Sequence, residues 1–306
     1  MVPIRSSVMV NKTSVYLNME RYVQLSKVLS GITIPYAIIK GEPLSILCYK
    51  RIGRRDYKDI DILTERRNIS LFEKELTKNG FSEHTNSVSA NTRANRVLCI
   101  SNSHQIPPYF KETSNQQIEI DLNFDILWGE YRGRHIDIND FLSDTIDMNI
   151  YGCEVKTLPP MKAMIQLILH HYKEMNSIYH LSGHNSINYN MFKDVYYLWK
   201  NNKEEISLEK LYSACSDYMI CSYVFYILYF TNWIFNDEEL KKYVEAFRTA
   251  EGEYYLSYYG LTEKERKQWK VDFQTRLEID NLYELIKDDL TKEDIEKLER
   301  NRRIFG

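Results

Sequence analysis

Two acidic side chains stand one residue apart in the segment RRDYKDIDILT, residues 54–64. Successive side chains of a strand point to opposite faces, so a strand here would place Asp59 and Asp61 on one face. Two like charges this close repel each other unless a cation lies between them. Carboxylate and phosphate oxygens are the ligands that Mg²⁺ prefers. The pair therefore indicates a metal site, with a solvated strand face as the alternative.

A second acidic segment follows at QQIEIDLNFDILW, residues 116–128, where acidic and apolar residues alternate. Alternation predicts a strand with Asp121 on its polar face and an apolar opposite face. Glu119 and Asp125 share the polar face and are alternatives to Asp121 if the register differs by two. Three carboxylates on neighbouring strands can hold two metal ions for in-line phosphoryl transfer. The third carboxylate could accept the proton of the attacking group.

A turn between residues 34 and 48 is a candidate phosphate site. The apolar run IPYAIIK predicts a strand that ends at Lys40, and EPLSILCY predicts a helix that begins after Gly41. A strand, a glycine turn and a helix can direct backbone N–H groups at a phosphate. Lys40, Arg54 and Arg55 supply positive charge nearby in sequence. A simple tight turn is the alternative.

The surrounding pattern divides the chain near residue 158, before Pro159-Pro160. The first part predicts a mixture of helices and strands, with helices at 18–30, from 41 and at 69–81, and strands at 34–40, 59–63, 96–101, 116–128 and 149–158. The second part has helical period almost throughout, at 161–176, 189–201, 208–218, 219–235, 237–250 and 278–299. This arrangement predicts an α+β fold class with a small mixed sheet followed by a helical domain.

Composition narrows the classes of function. Of 306 residues, 27% are charged and the formal net charge is -3, which argues against a nucleic-acid binder that acts through overall charge. Five cysteines without a CxxC pair indicate neither a disulfide framework nor a cysteine zinc site, so we expect a reducing, cytoplasmic setting. No signal peptide is expected. The apolar stretch 219–234 is too short to span a bilayer, so it predicts a buried core helix and no membrane partner.

The ordered set of motifs resembles one known family. IIKGEPLSILCY, RRDYKDIDIL, IEIDLNFDIL, VKTLPPMKAMIQLILHHY and FKDVYYLW are similar to the uncharacterised nucleotidyltransferase family of the DNA polymerase beta-like superfamily, over roughly residues 20–200. The resemblance implies a nucleotidyltransferase catalytic domain at 1–158 and a helical domain at 159–306 that binds the acceptor. It also implies Mg²⁺, in a two-metal site, and a nucleoside triphosphate such as ATP.

The resemblance also implies roles for individual residues. Asp59, Asp61 and Asp121 would be the catalytic metal ligands. Contacts with the nucleotide would come from Lys40, Gly41 and Arg55. The helical domain would contribute acceptor or nucleotide contacts from His170, His171, Lys193 and Asp194.

The expected reaction transfers an NMP group from an NTP to a hydroxyl or phosphate acceptor, with release of pyrophosphate. A small molecule or peptide is favoured over nucleic acid as acceptor, while the base and the oligomeric state are left open. Glu42 after the turn glycine and Asn123 after the third carboxylate depart from the family pattern, so a catalytically degenerate nucleotide-binding module is one alternative. A DxD glycosyltransferase that uses a nucleotide sugar is another, although only 58 residues precede Asp59.

Overall fold

The structure is a computed structural model that describes residues 12–55, 57–83, 97, 100–101, 103–128, 134–183 and 186–305. The chain divides into two units. The first unit comprises Met1–His84, Pro107–Phe124 and Ile138–Pro159, and the second comprises Thr85–Ile106, Asp125–Asp137 and Pro160–Gly306. The predicted α+β class is confirmed, since the first unit holds a mixed sheet and the second is largely helical. The domain boundary at residue 158 stays a prediction.

Among the described residues, the sheet of the first unit has seven strands: β1 (Tyr36–Ile38), β2 (Asp59–Thr64), β3 (Ser82–Glu83), β4 (Tyr109–Glu112), β5 (Gln117–Asn123), β6 (Ile146–Ile150) and β7 (Cys153–Thr157). They lie in the order β3-β4-β5-β2-β1-β7-β6. The central pair β2 and β5 is parallel, as is the pair β1 and β7, and the other neighbours are antiparallel. The predicted strands at 34–40, 59–63 and 116–128 therefore correspond to β1, β2 and β5.

Helices cover the sheet of the first unit. Helix α1 (Lys12–Leu29) contacts β7 and α3, and α2 (Gly41–Tyr49) contacts β2 and β6. The predicted apolar side of α1 is buried, because Tyr22, Leu25 and Val28 are fully inaccessible. The remaining helices of this unit are a 3-10 turn at Arg66–Asn68, α3 (Ile69–Lys78) and α4 (Ile138–Phe141).

One predicted strand was too long and another was wrong. Within the predicted strand 149–158, Cys153–Thr157 forms β7, while Tyr151 and Gly152 form the turn of a hairpin with β6. Both turn residues have positive φ, 53° and 82°, as a two-residue type I′ turn requires. In the predicted strand 96–101, the described residues 97, 100 and 101 are helical. A short apolar run does not distinguish a strand from a buried helix segment.

The second unit is built mainly of helices, as predicted. From Pro160 onward, its described α-helices are α5 (Pro160–Asn176), α6 (Ile178–Leu181), α7 (Tyr189–Lys200), α8 (Leu208–Asp217), α9 (Cys221–Phe235), α10 (Glu238–Ala246), α11 (Ala250–Leu256), α12 (Phe273–Glu278), α13 (Tyr283–Ile286) and α14 (Lys292–Phe305). Several begin at a side chain that accepts a backbone N–H of the first turn, which satisfies an otherwise unpaired donor. These caps are Asn188, Ser207, Asp237, Thr249 and Asp272. A short hairpin of Tyr258–Tyr259 with Lys267–Gln268 interrupts the helical pattern.

The apolar stretch 219–234 forms most of α9, the central helix of this unit. It contacts α5, α7, α10 and α11, and Phe225, Ile227 and Leu228 are fully buried. The prediction of a buried core helix is confirmed at these residues. Among the described residues, no helix has the length and apolar character needed to cross a bilayer.

Candidate active site

The pairing of β2 with β5 brings the three predicted carboxylates together. The parallel register sets Asp61 opposite Asp121 and Asp59 opposite Glu119. Carboxylate oxygens of Asp59, Asp61 and Asp121 all lie within 4.8 Å of one another. This register places Asp121 beside Asp61, rather than Glu119 or Asp125.

The apolar sides of the two strands explain why the carboxylates share one face. Ile60 and Ile62 on β2 and Ile120 and Leu122 on β5 are buried at 2% exposure or less. Because strand side chains alternate, burying these residues directs the intervening aspartates to the opposite face. The hydrophobic pattern therefore fixes the direction of the carboxylates.

The aspartates of this cluster lie in a poorly solvated place. Asp61 is 3% exposed and Asp121 is 8% exposed. Oδ2 of Asp61 and Oδ1 of Asp121 are buried and have no hydrogen-bond partner within the part of the chain that the structure describes. Buried carboxylate oxygens are costly unless they are paired or coordinate a metal. These two oxygens are therefore suited to coordinate a cation.

Burial and mutual repulsion raise the pKa values of the cluster. Burial, followed by the charges of Asp61 and Asp59, raises the pKa of Asp121 to about 8. Burial and the charge of Asp61 also raise the pKa of Asp59, and burial and the aspartates raise that of Glu119. Because each shift favours the neutral form, the metal-free site retains protons at a pH where isolated carboxyl groups are ionised.

Two side chains contact Asp61 directly. Nζ of Lys40 lies 3.0 Å from Oδ1 of Asp61, and Nδ2 of Asn123 donates to the same oxygen at 3.4 Å. The lysine offsets part of the negative charge without filling the space at Oδ2. Asn123 follows Asp121 by two residues on β5, so strand alternation places both side chains on the same face. The hydrogen bond from Asn123 to Asp61 could not be read from the sequence.

Gly41 begins α2 directly after Lys40 and adopts a φ of +67°. A Cβ at this position would lie 3.3 Å from Cε2 of Tyr57, a tight contact. The left-handed conformation favours glycine over residues that carry a Cβ. The N-terminus of α2 carries a partial positive charge that suits an anion such as phosphate.

Glu42, the departure in the glycine turn, is a fully buried side chain that accepts hydrogen bonds. Its Oε1 accepts from Nδ2 of Asn18 at 3.0 Å and from the hydroxyl of Tyr151 at 2.8 Å. Its Oε2 accepts from the backbone N–H of Gly53 at 2.7 Å. Its carboxylate therefore connects α1, the β6–β7 turn and the loop before β2. Sequence reasoning left its role open between repelling a triphosphate and stabilising the helix start.

The predicted arginine lies in the loop between α2 and β2. Arg55 is half-buried there. Ser45 on α2 holds this loop, because its Oγ donates to the carbonyl of Arg51 and accepts from the backbone N–H of Arg54. The contact of Arg55 with nucleotide stays a prediction.

The family follows from the whole set of motifs on this fold. A family model described as an uncharacterised nucleotidyltransferase matches residues 5–236. The chain belongs to this family. No curated protein matches the chain. A solved structure of an antigenic nucleotidyltransferase-like protein from Paracoccidioides brasiliensis is similar, with 15% identity, a TM-score of 0.39, and coverage of 78% of this chain and 94% of that chain.

Membership of this nucleotidyltransferase family supports nucleotidyl transfer as the general reaction class and a nucleoside triphosphate as substrate. The three aspartates of this family member offer only oxygen donors, a set that suits Mg²⁺ or another hard divalent cation. Oδ2 of Asp61 and Oδ1 of Asp121, buried and without a hydrogen-bond partner among the described residues, agree with that choice. The residues therefore fit a divalent metal.

The remaining predicted residues of this nucleotidyltransferase lie in the second unit. His170 and His171 are on α5, where both contact Glu174. Lys193 and Asp194 are on α7, with Asp194 buried at 5% exposure. Their contacts with acceptor or nucleotide stay predictions.

Proposed function

We propose that the chain is a Mg²⁺-dependent nucleotidyltransferase that transfers an NMP group from an NTP to a hydroxyl or phosphate acceptor and releases pyrophosphate. The observation that carries the proposal is the convergence of Asp59, Asp61 and Asp121, two of which have buried oxygens without a hydrogen-bond partner among the described residues. Membership of the family supports the general reaction class.

Asp59, Asp61 and Asp121 would hold the metal, in a two-metal site. When bound, Mg²⁺ neutralises phosphate charge and lowers the pKa of an attacking hydroxyl. Lys40 lies 3.0 Å from Asp61, so its ammonium is close enough to serve both the carboxylates and a phosphate oxygen. The backbone at Gly41 and the side chain of Arg55 would orient the triphosphate.

In the transfer, the acceptor oxygen forms a bond to the α-phosphorus while the bond from that phosphorus to the bridging oxygen breaks. Pyrophosphate leaves with the electron pair of the broken bond. Asp121 would accept the proton of the acceptor hydroxyl in its ionised form, which a cation held by the three aspartates would favour over the protonated form of the metal-free chain. Asn123 and Lys40 keep Asp61 in place through its Oδ1.

The acceptor is a small molecule, peptide or protein rather than nucleic acid, in keeping with the net charge of -3. Lys193 and Asp194 on α7 are proposed contacts of acceptor or nucleotide.

Calorimetric titration of each NTP with Mg²⁺ tests the proposal. We expect one or more NTPs to bind the wild-type chain and binding to fall at least about tenfold in Asp61→Asn, because removing a metal ligand removes the metal-nucleotide site. Asp147→Asn is the matched control, since its side chain is 72% exposed on the outer strand β6. Equal NTP binding by wild type and Asp61→Asn would refute the carboxylate assignment.

Turnover is tested separately by pyrophosphate release with hydroxyl and phosphate acceptors. Release that disappears in Asp121→Asn supports transfer. Metal-dependent NTP binding without release under any acceptor would instead support a non-catalytic module. Substituting nucleotide sugars for NTPs in the same binding experiment tests the glycosyltransferase alternative.

A further inference from the structure

A second group of metal-ligating side chains lies on α5, made of His170, His171 and Glu174. Glu174 follows the two histidines by four and three residues, so the three side chains share adjoining turns of the helix. Nε2 of His170 lies 3.2 Å from Oε1 of Glu174, and Nδ1 of His171 lies 3.4 Å from Oε2. One ligand atom from each side chain lies within 4.8 Å of the other two.

The spacing of these atoms is longer than that of a strong ionic hydrogen bond. Charge-assisted N–H···O bonds have lengths of about 2.7–2.9 Å. Around a tetrahedral ion with bonds of about 2.0–2.1 Å, two ligand atoms lie about 3.3–3.4 Å apart. The contacts of 3.2 and 3.4 Å are closer to the ligand spacing around a tetrahedral ion than to the length of a charge-assisted hydrogen bond. Each histidine–carboxylate pair is therefore spaced as two ligands of a tetrahedral ion, with each histidine facing a different oxygen of Glu174.

Burial and charge also suit a cation. The side chains of His171 and His170 are 5% and 18% exposed, while that of Glu174 is 36% exposed. Glu174 is therefore a carboxylate ligand that remains accessible from solvent.

The neighbouring cation on the helix is engaged elsewhere. Nζ of Lys173 lies 3.1 Å from Nε2 of His104 and 5.7 Å from the centre of the Trp128 ring. Its ammonium therefore has partners of its own away from the cluster.

We propose that His170, His171 and Glu174 form a three-ligand site for a transition-metal ion of the Zn²⁺ class. Two imidazole nitrogens and one carboxylate are a donor set of zinc sites that keep the fourth position open. The exposure of Glu174 leaves that position accessible to water or another oxygen ligand. This donor set differs from the oxygen-only set of the aspartates, so the two groups select different metals. The two histidines then act as metal ligands in place of direct contact with acceptor or nucleotide.

Cobalt is the probe for the test, because tetrahedral Co²⁺ absorbs visible light strongly and octahedral Co²⁺ absorbs it weakly. The full chain is stripped with a chelator and titrated with Co²⁺ alone. We expect a strong visible band that saturates at one ion per chain and is displaced by Zn²⁺.

Glu174→Gln is the decisive variant, because it keeps the side-chain shape at a half-exposed position and removes the charged ligand. We expect its Co²⁺ affinity to fall at least about tenfold. His170→Ala is expected to do the same, while His135→Ala, an exposed histidine of the same unit, keeps the wild-type band. Circular dichroism checks that each variant is folded.

The outcomes separate this site from the aspartate cluster. Asp121→Asn is expected to keep the strong band, because it lies in the other metal group. No strong band in wild type, or an unchanged band in folded Glu174→Gln, would overturn the site and leave a hydrogen-bonded cluster. Neither result would affect the test of NTP binding at Asp61.

Discussion

Replacing Asp121 with asparagine is expected to stabilise the metal-free chain at neutral pH. The folded chain buries this carboxyl group to 8% exposure and surrounds it with other carboxylates. Burial first, and then the charges of Asp61 and Asp59, raise its pKa from 3.8 to about 8. The ionised form is therefore disfavoured in the folded state compared with the unfolded state, where nothing opposes ionisation.

The size of the effect follows from linkage. A carboxyl group whose pKa is raised on folding gives its full stability below the unfolded pKa and loses it as pH rises through the folded pKa. Between pH 3.8 and pH 7 the loss is at most about 4 kcal/mol, at about 1.4 kcal/mol per pH unit. Because Asp59 and Asp61 share the repulsion, we expect Asp121→Asn to raise the free energy of unfolding by about 1–3 kcal/mol at pH 7.

The assay is urea unfolding of both proteins in a chelating buffer, repeated from acid pH to about pH 8. The difference in unfolding free energy is expected to vanish near pH 4 and grow with pH, because only the wild type has a carboxyl group to ionise. Saturating Mg²⁺ should stabilise wild type more than the variant and so reduce the difference. Asp147→Asn, with its exposed side chain, should change stability by less than about 0.5 kcal/mol.

A variant that is no more stable than wild type at pH 7 would refute the reasoning, as would a difference that does not change with pH. Either result would mean that the Asp121 carboxylate is solvated or paired in solution. The cluster would then have no need of a cation.

Other predictions concern the residues around the carboxylates. Lys40→Ala should tighten Mg²⁺ binding in the absence of nucleotide, because the ammonium competes with the ion at Asp61. The same variant should weaken NTP binding, because the ammonium would also contact phosphate. Calorimetry measures both affinities, and weaker Mg²⁺ binding by the variant would contradict the competition. Glu42→Gln should lower the free energy of unfolding by about 1–3 kcal/mol, because an amide nitrogen in place of Oε2 leaves the N–H of Gly53 without its acceptor. Urea unfolding measures this change, and an unchanged free energy of unfolding would contradict the hydrogen bond between Gly53 and Glu42. Gly41→Ala should lower the free energy of unfolding by about 1 kcal/mol or more, because alanine is strained at the φ of +67° that Gly41 adopts. An unchanged melting temperature would contradict this strain.

The alternating segments allowed the two acidic strand faces to be predicted from residues alone. The patterns DIDIL and IEIDLN indicated strands with acidic and apolar faces, and the structure has both strands as β2 and β5. Strand periodicity fixes which residues share a face, so Asp59 and Asp61 could be assigned to one face from the sequence. The distance between Asp61 and Asp121 could not be predicted from the sequence, because the pairing of strands that lie far apart in sequence is a property of the whole fold.

Glu42 illustrates what local pattern cannot provide. A glutamate in the first turn of a helix suits the helix dipole whether it is exposed or buried. Its bonds to Asn18, Tyr151 and Gly53 come from three separate segments, so they exist only after the first unit has folded. The wrong strand at 96–101 has a different origin, since a short apolar run suits a helix and a strand equally well.

The register between β2 and β5 has a consequence for how such chains can vary in length. The carboxylates meet because Asp61 pairs with Asp121 directly, so the separation of the two side chains does not depend on residues 65–116. Insertions or deletions in that connection leave the site intact as long as the pairing is kept. A one-residue shift within β5 would instead turn Asp121 toward the apolar face and remove it from the cluster. Loops within the connection can thus change in length, whereas β4, which pairs with β5, and the two carboxylate-bearing strands cannot.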